Sequence, residues 1–171
     1  MISKTLILLG SSNSKGETKQ LVNYMSNKAQ IPIIDLKKKY IVEFDYEFRN
    51  QDDDFKSLLE EIVTTYDTLI FATPVYWYTM SARMKLFFDR LSDGLKLHKD
   101  IGRKLRGMNM AVLSCGYDKV LKDGFHMPFK ETAKYLGMNY SGDVHGWLEN
   151  GILTDEIKER LDNFIEVLDV R

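Results

Sequence analysis

Cysteine and histidine are scarce in this chain, and positive charge is not in excess. The single cysteine, Cys115, excludes an internal disulfide framework and any zinc or iron–sulfur site built on several cysteines. The three histidines, His98, His126 and His145, are widely separated and lack metal-ligand spacing, so we interpret each as a structural or surface residue. A formal net charge of −1 gives no support for nucleic-acid binding, which usually needs a basic excess.

Long apolar runs are absent as well. The first run, residues 5–9, is too short for the core of a signal peptide, and no stretch approaches the ~20 apolar residues of a membrane span. We therefore expect a cytoplasmic protein with no membrane contact. The composition, 44% hydrophobic and 29% charged over 171 residues, is that of a globular protein, and we expect one domain spanning residues 1–171.

Apolar runs alternate with helical stripes along the whole chain. The runs predict strands at 6–9, 31–34, 68–72, 108–113 and 138–144, and the stripes predict helices at 21–29, 55–63, 84–91, 125–136 and 157–168. Because such alternation gives parallel strands joined by right-handed crossovers, we predict an α/β fold of the flavodoxin-like type. Its sheet is doubly wound, parallel and five-stranded, in the order 2-1-3-4-5, with helices on both faces.

The segment 36–54 is the least regular part of the chain. It begins near a run of three lysines, ends in a run of three aspartates, and carries aromatic residues between them. One interpretation is a long surface connection whose acidic residues cap the following helix. The other is a lid or a partner surface, since long loops in compact domains are often functional.

The loop after the first predicted strand, residues 10–18, lies where ligands bind in such a sheet, at the point where the winding reverses. Gly10 and Gly16 allow close approach of the backbone, and short hydroxyl and amide side chains surround them. With the N-terminus of the next helix, this composition suits a phosphate group. A Walker loop is excluded, because Gly16 is followed by Glu17 where the motif needs lysine before its Ser or Thr. An ordinary helix cap by Ser14 or Thr18 is the alternative.

The loop after the third predicted strand carries three aromatic residues in a row, Tyr76, Trp77 and Tyr78. In the predicted sheet this strand is the neighbour of the first one, so the two loops meet at one crevice. A flat heterocycle could lie on these aromatic residues while its phosphate lies on residues 11–18. Alternatively, the aromatic residues pack on the neighbouring helix or form a dimer contact.

Three stretches together resemble the flavodoxin-like NAD(P)H-dependent FMN reductase family: GSSNSKGET at 10–18, TPVYWYTMSARMKLFFDRL at 73–91 and VLSCG at 112–116. The resemblance covers essentially the whole chain in the right order. It implies that the FMN phosphate is held by Ser11, Asn13, Gly16, Glu17 (through its amide) and Thr18. It also implies that two further loops border the flavin ring, with Pro74, Val75, Tyr76 and Trp77 on one and Ser114, Cys115, Gly116 and Tyr117 on the other.

The chain departs from this family at two points. Many relatives carry arginine at the position of Asn13, so the phosphate here would depend more on amides and hydroxyls. Relatives with an iron–sulfur cluster carry several cysteines in the stretch that corresponds to 36–54, and none occurs there in this chain. The resemblance therefore implies a flavoprotein without a cluster.

The function that the resemblance implies is transfer of electrons from NADH or NADPH through FMN to a small acceptor. The acceptor would be a quinone, an azo or nitro compound, or another flavin. Because the flavin carries the chemistry, we name no catalytic side chain and no metal site, and we interpret Cys115 as a small buried residue. Lys85 and Asp89 are four residues apart and predict a surface ion pair. Relatives are usually homodimers, so we expect a homodimer. The alternatives are an electron-carrying flavodoxin and a non-catalytic binding domain that kept the fold.

Overall fold

The computed structural model of the protein describes residues 4–169. Its strands are β1 (Thr5–Leu9), β2 (Ile33–Asp35), β3 (Thr68–Tyr76), β4 (Thr79–Met80), β5 (Asn109–Cys115) and β6 (Asn139–Gly146). Its α-helices are α1 (Glu17–Ala29), α2 (Phe55–Thr65), α3 (Ala82–Lys96), α4 (Lys99–Gly102), α5 (Met127–Leu136) and α6 (Asp155–Asp169). None of these helices is long and apolar enough to cross a membrane.

The sheet is parallel in the order β2-β1-β3-β5-β6, and β4 pairs antiparallel with β3. The predicted flavodoxin-like α/β fold is therefore confirmed. The detail of five strands in the order 2-1-3-4-5 needs correction, because the short strand β4 follows β3 and the observed numbering becomes 2-1-3-5-6. A tight turn at Trp77 and Tyr78 folds the chain back on β3 and creates this extra strand.

Helices cover both faces of the sheet. Along β1, Leu6 and Leu8 join a core cluster with α2, α3 and α5, whereas Ile7 and Leu9 join a cluster with α1 and α6. This alternation follows from the two-residue period of a strand, and it explains why the whole of β1 is apolar. The two layers leave the carboxyl edge of the strands free to carry loops.

Strands β3 and β5 continue past their predicted ends, from 72 to Tyr76 and from 113 to Cys115. Their added residues pair with each other, Pro74 lying opposite Cys115. The two loops that follow these strands are therefore held side by side above the body of the sheet.

The segment 36–54 is fixed to α3 by Arg90, whose side chain is only 1% exposed. The guanidinium forms ion pairs with Asp53 and with Asp93, the latter through Nε at 2.9 Å. It also donates to the carbonyl oxygens of Val42 at 2.8 Å and Asn50 at 2.7 Å. The segment is thus held by charge and hydrogen bonds, which explains why it shows no apolar periodicity.

Asp53 lies two residues before the start of α2. Its carboxylate accepts a hydrogen bond from the backbone N–H of Phe55 at 3.0 Å, and another from the N–H of Val42 at 2.9 Å. The N-cap residue of α2 is Asp54, whose side chain makes no cap hydrogen bond, so the aspartate run contacts the start of the helix through Asp53 and not through its N-cap residue.

Candidate cofactor site

The loop between β1 and α1 is hydrogen-bonded to β3 and to the start of α3. The Gly10 N–H donates to the carbonyl oxygen of Ala72 in β3 at 2.8 Å, and the hydroxyl of Ser81, at the start of α3, donates to the Gly10 carbonyl. A Cβ atom at position 10 would lie only 2.8 Å from Cβ of Met84. Glycine is therefore required here by close packing, and the start of the loop is fixed by contacts with β3 and α3.

Within this loop, Ser11 and Asn13 hold each other. The Ser11 hydroxyl donates to the Asn13 carbonyl and accepts from the Asn13 N–H, both at 3.1 Å. The side-chain oxygen of Asn13 accepts from the N–H of Lys15 at 3.0 Å. Asn13 therefore shapes the loop with its side-chain oxygen, where an arginine would instead supply a positive charge.

Helix α1 starts without a side-chain cap. Gly16 occupies the N-cap position, and its carbonyl oxygen accepts from the N–H groups of Lys19 and Gln20 at 3.1 and 3.3 Å. The interpretation of Ser14 or Thr18 as an ordinary cap is therefore wrong. Helix N-termini carry unpaired N–H groups and partial positive charge, so this end of α1 presents donors to an anion.

The β3–β4 hairpin turns in two residues. Val75 pairs with Met80 and Tyr76 with Thr79, which leaves Trp77 and Tyr78 as the turn. Both have positive φ angles, 47° and 66°, as a type I′ turn requires. Residues with side chains are strained in this region, and the turn leaves Trp77 91% exposed.

Strand β5 ends with Ser114 and Cys115, and the loop begins at Gly116. Ser114 is fully buried, and its hydroxyl lies 2.8 Å from Nδ1 of His145. Cys115 is also buried, and burial raises the pKa of its thiol to about 12. The sulfur is therefore a neutral thiol at pH 7, as expected for a structural cysteine. Gly116 continues the loop through a hydrogen bond from its N–H to the carbonyl oxygen of Gly146 at 3.2 Å.

These three loops enclose a cavity of about 280 Å³, the three-loop cavity, at the carboxyl edge of the sheet. Eleven of the thirteen predicted cofactor residues line it: Ser11, Asn13, Gly16, Glu17, Thr18, Pro74, Val75, Tyr76, Cys115, Gly116 and Tyr117. The other two do not. Ser114 is buried behind the wall, and Trp77 lines a second cavity of about 220 Å³, the adjoining cavity.

Comparison with known proteins decides the family. The family model described as NADPH-dependent FMN reductase matches residues 3–149. The chain belongs to the NADPH-dependent FMN reductase family. YwqN of Bacillus subtilis (strain 168), named as an NAD(P)H-dependent FMN-containing oxidoreductase, is 34% identical over 103 residues, which cover 58% of this chain and 56% of that protein. The chain thus matches a little over half of the length of that relative.

Two solved structures share the fold of this FMN reductase family member. The Trp repressor binding protein from Bacillus subtilis has a TM-score of 0.74 and 25% identity, covering 96% of this chain and 97% of that chain. The general stress protein 14 from Treponema denticola, solved in complex with FMN, has a TM-score of 0.66 and 20% identity, covering 97% and 98%.

The adjoining cavity of this FMN reductase family member shares Val75, Gly116 and Tyr117 with the three-loop cavity. Its remaining lining consists of Trp77, Tyr78, Asp118, Val120, Leu121, Lys122, Phe125 and His145. Sequence reasoning did not place His145 at the site. The signal that could have found it is its position near the carboxyl end of β6, the edge where ligands bind in such sheets.

Charge is sparse around the three-loop cavity. Glu17 is its one charged lining residue, and its side chain is exposed to solvent. Among residues 4–169, no group of three or more His, Cys, Asp or Glu side chains could hold a metal ion. An anion in this cavity would therefore be bound by hydroxyls and backbone amides rather than by lysine, arginine or metal.

Proposed function

We propose that this protein binds FMN in the three-loop cavity, takes hydride from NADH or NADPH, and passes the electrons to a small acceptor. The observation that supports this most is the convergence of eleven predicted FMN-binding residues, from three loops, on one cavity. Membership of the family and the FMN complex of the structurally similar general stress protein 14 agree with it. When bound, the flavin would supply the hydride and electron chemistry.

The phosphate end of FMN would lie on the loop at 11–18. Here the N-terminal amides of α1 and the Thr18 hydroxyl would donate hydrogen bonds to phosphate oxygens, and the Ser11 hydroxyl would turn from the Asn13 carbonyl to do the same. Both hydroxyl-bearing residues are buried, so these bonds would form with little competition from water. The side chain of Asn13 would support them indirectly by holding the loop.

The ring end would lie in the three-loop cavity, against the β3–β4 hairpin and the 115–117 loop that border it. Pro74, Val75 and Gly116 offer apolar and backbone surface there, and they exclude water from a flat ring. The neutral thiol of Cys115 is a poor acid or base at pH 7, because burial raises its pKa to about 12. We therefore assign positioning and water exclusion to the protein, and no catalytic side chain.

The phosphate assignment predicts the effect of removing single hydroxyls. Thr18→Ala and Ser11→Ala should each weaken FMN binding by about 1–3 kcal/mol, because each loses a hydrogen bond to a charged group. Dissociation constants for FMN and for riboflavin, which lacks the phosphate, measure this directly. Ser12→Ala is the matched control, since Ser12 is exposed in the same loop and does not line the cavity. Unchanged FMN affinity in both variants would contradict the assignment.

The acceptor would bind beside the flavin in the adjoining cavity. Trp77, Tyr78 and Tyr117 line this cavity and present exposed aromatic surface. Such surface suits a flat aromatic molecule, so the proposal includes a quinone, an azo or nitro compound, or a second flavin as the acceptor. We extend the proposal to a cytoplasmic location, which agrees with the free thiol of the single cysteine, Cys115.

We also propose a homodimer formed through the groove between α3 and α5, which has a volume of about 780 Å³. Its floor is apolar, with Met80, Phe88, Leu91, Leu95 and Leu136 among its lining. Its charged residues are two cations and two anions: Lys85, Asp89, Glu131 and Lys134. We propose that the two copies pack with α3 antiparallel to its twofold-related copy, so that Lys85 of each copy faces Asp89 of the other. Lys85 and Asp89 form the predicted surface pair at 2.5 Å, which confirms that prediction.

Dimerisation is tested by placing charge in this groove. Tyr135 is 78% exposed at the groove, so Tyr135→Glu should leave the fold intact and convert the dimer to a monomer. The control is Tyr46→Glu, since Tyr46 is 88% exposed and lies outside the groove. Sedimentation equilibrium gives the mass of each variant. A monomeric unmodified protein, or a Tyr135→Glu protein that remains dimeric, would contradict this interface.

A further inference from the structure

His145 joins the two ends of the loop that closes the three-loop cavity. Its Nδ1 lies 2.8 Å from the Ser114 hydroxyl, and its Nε2 lies 2.8 Å from the carbonyl oxygen of Asp118. Between these two partners the chain runs through Cys115, Gly116 and Tyr117, all of which line the cavity. One imidazole thus holds the residue before and the residue after the three that would border a ligand.

The two hydrogen bonds define which nitrogen of the His145 ring carries the hydrogen. A carbonyl oxygen can only accept, so Nε2 carries the hydrogen that it donates to Asp118. In the neutral ring Nδ1 is then the acceptor, and the Ser114 hydroxyl donates to it. Burial lowers the pKa of His145 below its ordinary value, which favours this neutral form at pH 7.

Gly116 packs closely against its neighbours on both sides. A Cβ atom at position 116 would lie 3.2 Å from Cβ of Val75 and 3.4 Å from Cε1 of His145. Gly116 therefore lies between the hairpin and the imidazole. The pairing of Pro74 with Cys115 sets the start of the loop beside β3, and the His145 ring packs against the residues that follow.

A second set of contacts holds the chain just beyond this loop. The ammonium group of Lys119 pairs with Glu149 at 2.8 Å and lies 5.2 Å from the ring centroid of Trp147. Both partners are about half exposed, so this pair is weak. The stronger contacts of the loop are the two hydrogen bonds of His145 and the bond from the Gly116 N–H to the Gly146 carbonyl.

We infer that His145 is a positioning residue of the flavin site, which holds the 115–117 loop in the position where it borders the three-loop cavity. This inference rests on the proposed function, because the position of the loop affects flavin binding only if the flavin occupies that cavity. The Ser114 hydroxyl is one of the two hydrogen-bond partners of His145. Ser114 therefore also helps to position this loop, although its side chain lies outside the three-loop cavity. Neither residue touches the reacting atoms, so neither is a catalytic residue.

The test separates the ring end of the ligand from its phosphate end. His145→Phe keeps a ring of similar size and removes both hydrogen bonds, so FMN and riboflavin should each bind about tenfold more weakly. His145→Gln keeps a donor for the Asp118 carbonyl and should recover most of that loss. Thr18→Ala should weaken FMN alone, because riboflavin lacks the phosphate. Tyr140→Phe is the control on the same strand, since it loses one hydrogen bond, to Asp143 at 2.9 Å, away from both cavities.

The outcomes are distinguishable. A folded His145→Phe protein that binds both flavins as tightly as the unmodified protein would overturn the positioning role of His145 while leaving the proposed function intact. An unmodified protein that binds neither flavin would overturn both. If neither histidine variant folds, ¹⁵N NMR of the unmodified protein still decides. A neutral His145 ring with its hydrogen on Nε2 supports the positioning role, and a neutral ring with its hydrogen on Nδ1 overturns it.

Discussion

Arg90→Met is expected to lower the free energy of unfolding by about 3–5 kcal/mol, because it leaves two buried carboxylates without their cation. Arg90 is 1% exposed, and the side chains of Asp53 and Asp93 beside it are 2% and 3% exposed. The guanidinium also lies 4.9 Å from the ring centroid of Phe55. Methionine can replace the apolar contact with this ring and none of the charge or hydrogen bonds.

Urea denaturation of the variant measures this effect, and Lys28→Met in α1 is its control. Lys28 also pairs with an aspartate, Asp162, at 2.9 Å, but the two side chains are 55% and 31% exposed. Exposed pairs contribute about 0–1 kcal/mol, so the control should change the stability little. Equal effects of the two substitutions would contradict a central role for Arg90.

The ion pair between Arg90 and Asp53 also leads us to a prediction about how stability depends on pH. Burial alone would raise the pKa of Asp53, but hydrogen bonds from Arg90 and from the N–H groups of Val42 and Phe55 lower it below its ordinary value. A lowered pKa adds stability above the unfolded pKa of about 3.9, and this stability is lost as the pH falls through the folded pKa. Removing Arg90 raises the folded pKa, so acid unfolding of Arg90→Met should begin at a higher pH than that of the unmodified protein.

Gly116→Val is expected to weaken FMN binding about a thousandfold, or ~4 kcal/mol at 1.4 kcal/mol per tenfold. The Cβ atom alone would lie within 3.2–3.4 Å of Val75 and His145, and the two methyl groups of valine must occupy space beyond it. They would push Val75 and the 115–117 loop out of place where both border the three-loop cavity, in which we place the flavin ring. Overpacking should lower the stability of the fold by only about 1–3 kcal/mol.

Fluorescence titration with FMN measures this prediction in the folded variant. Gly116→Ala is a second variant with a smaller expected effect, because its single methyl group needs the neighbouring atoms to shift by only a few tenths of an ångström. Its FMN affinity should fall between those of the valine variant and the unmodified protein. A folded Gly116→Val protein that retains FMN within tenfold would show that the ring lies elsewhere.

The sequence was sufficient to predict the fold, because the apolar patterns of the strands and helices are strong and the alternation restricts the topology. It did not predict β4, since the turn at Trp77 and Tyr78 lacks the asparagine and glycine that normally mark a type I′ hairpin. Without that turn, the length of β3 beyond residue 72 was also unpredictable.

Loop composition was sufficient to select eleven residues that converge on the three-loop cavity, whereas the direction of individual side chains depends on strand and turn geometry. Because β5 continues to Cys115, side chains alternate through its last residues, and Ser114 faces His145 while Cys115 faces the three-loop cavity. The tight turn carries Trp77 to the adjoining cavity. Arg90 showed no sequence signal for its partner, since Asp53 lies 37 residues away.

The most direct test of the account is anaerobic mixing of the FMN-loaded protein with NADPH or NADH while the visible absorbance of the flavin is recorded. We predict that at least one of the two nicotinamide cofactors bleaches the bound flavin, and that adding a quinone then restores its absorbance. An FMN-loaded protein that stays oxidised for minutes with both cofactors would contradict the reductase and would favour an electron-carrying flavodoxin instead.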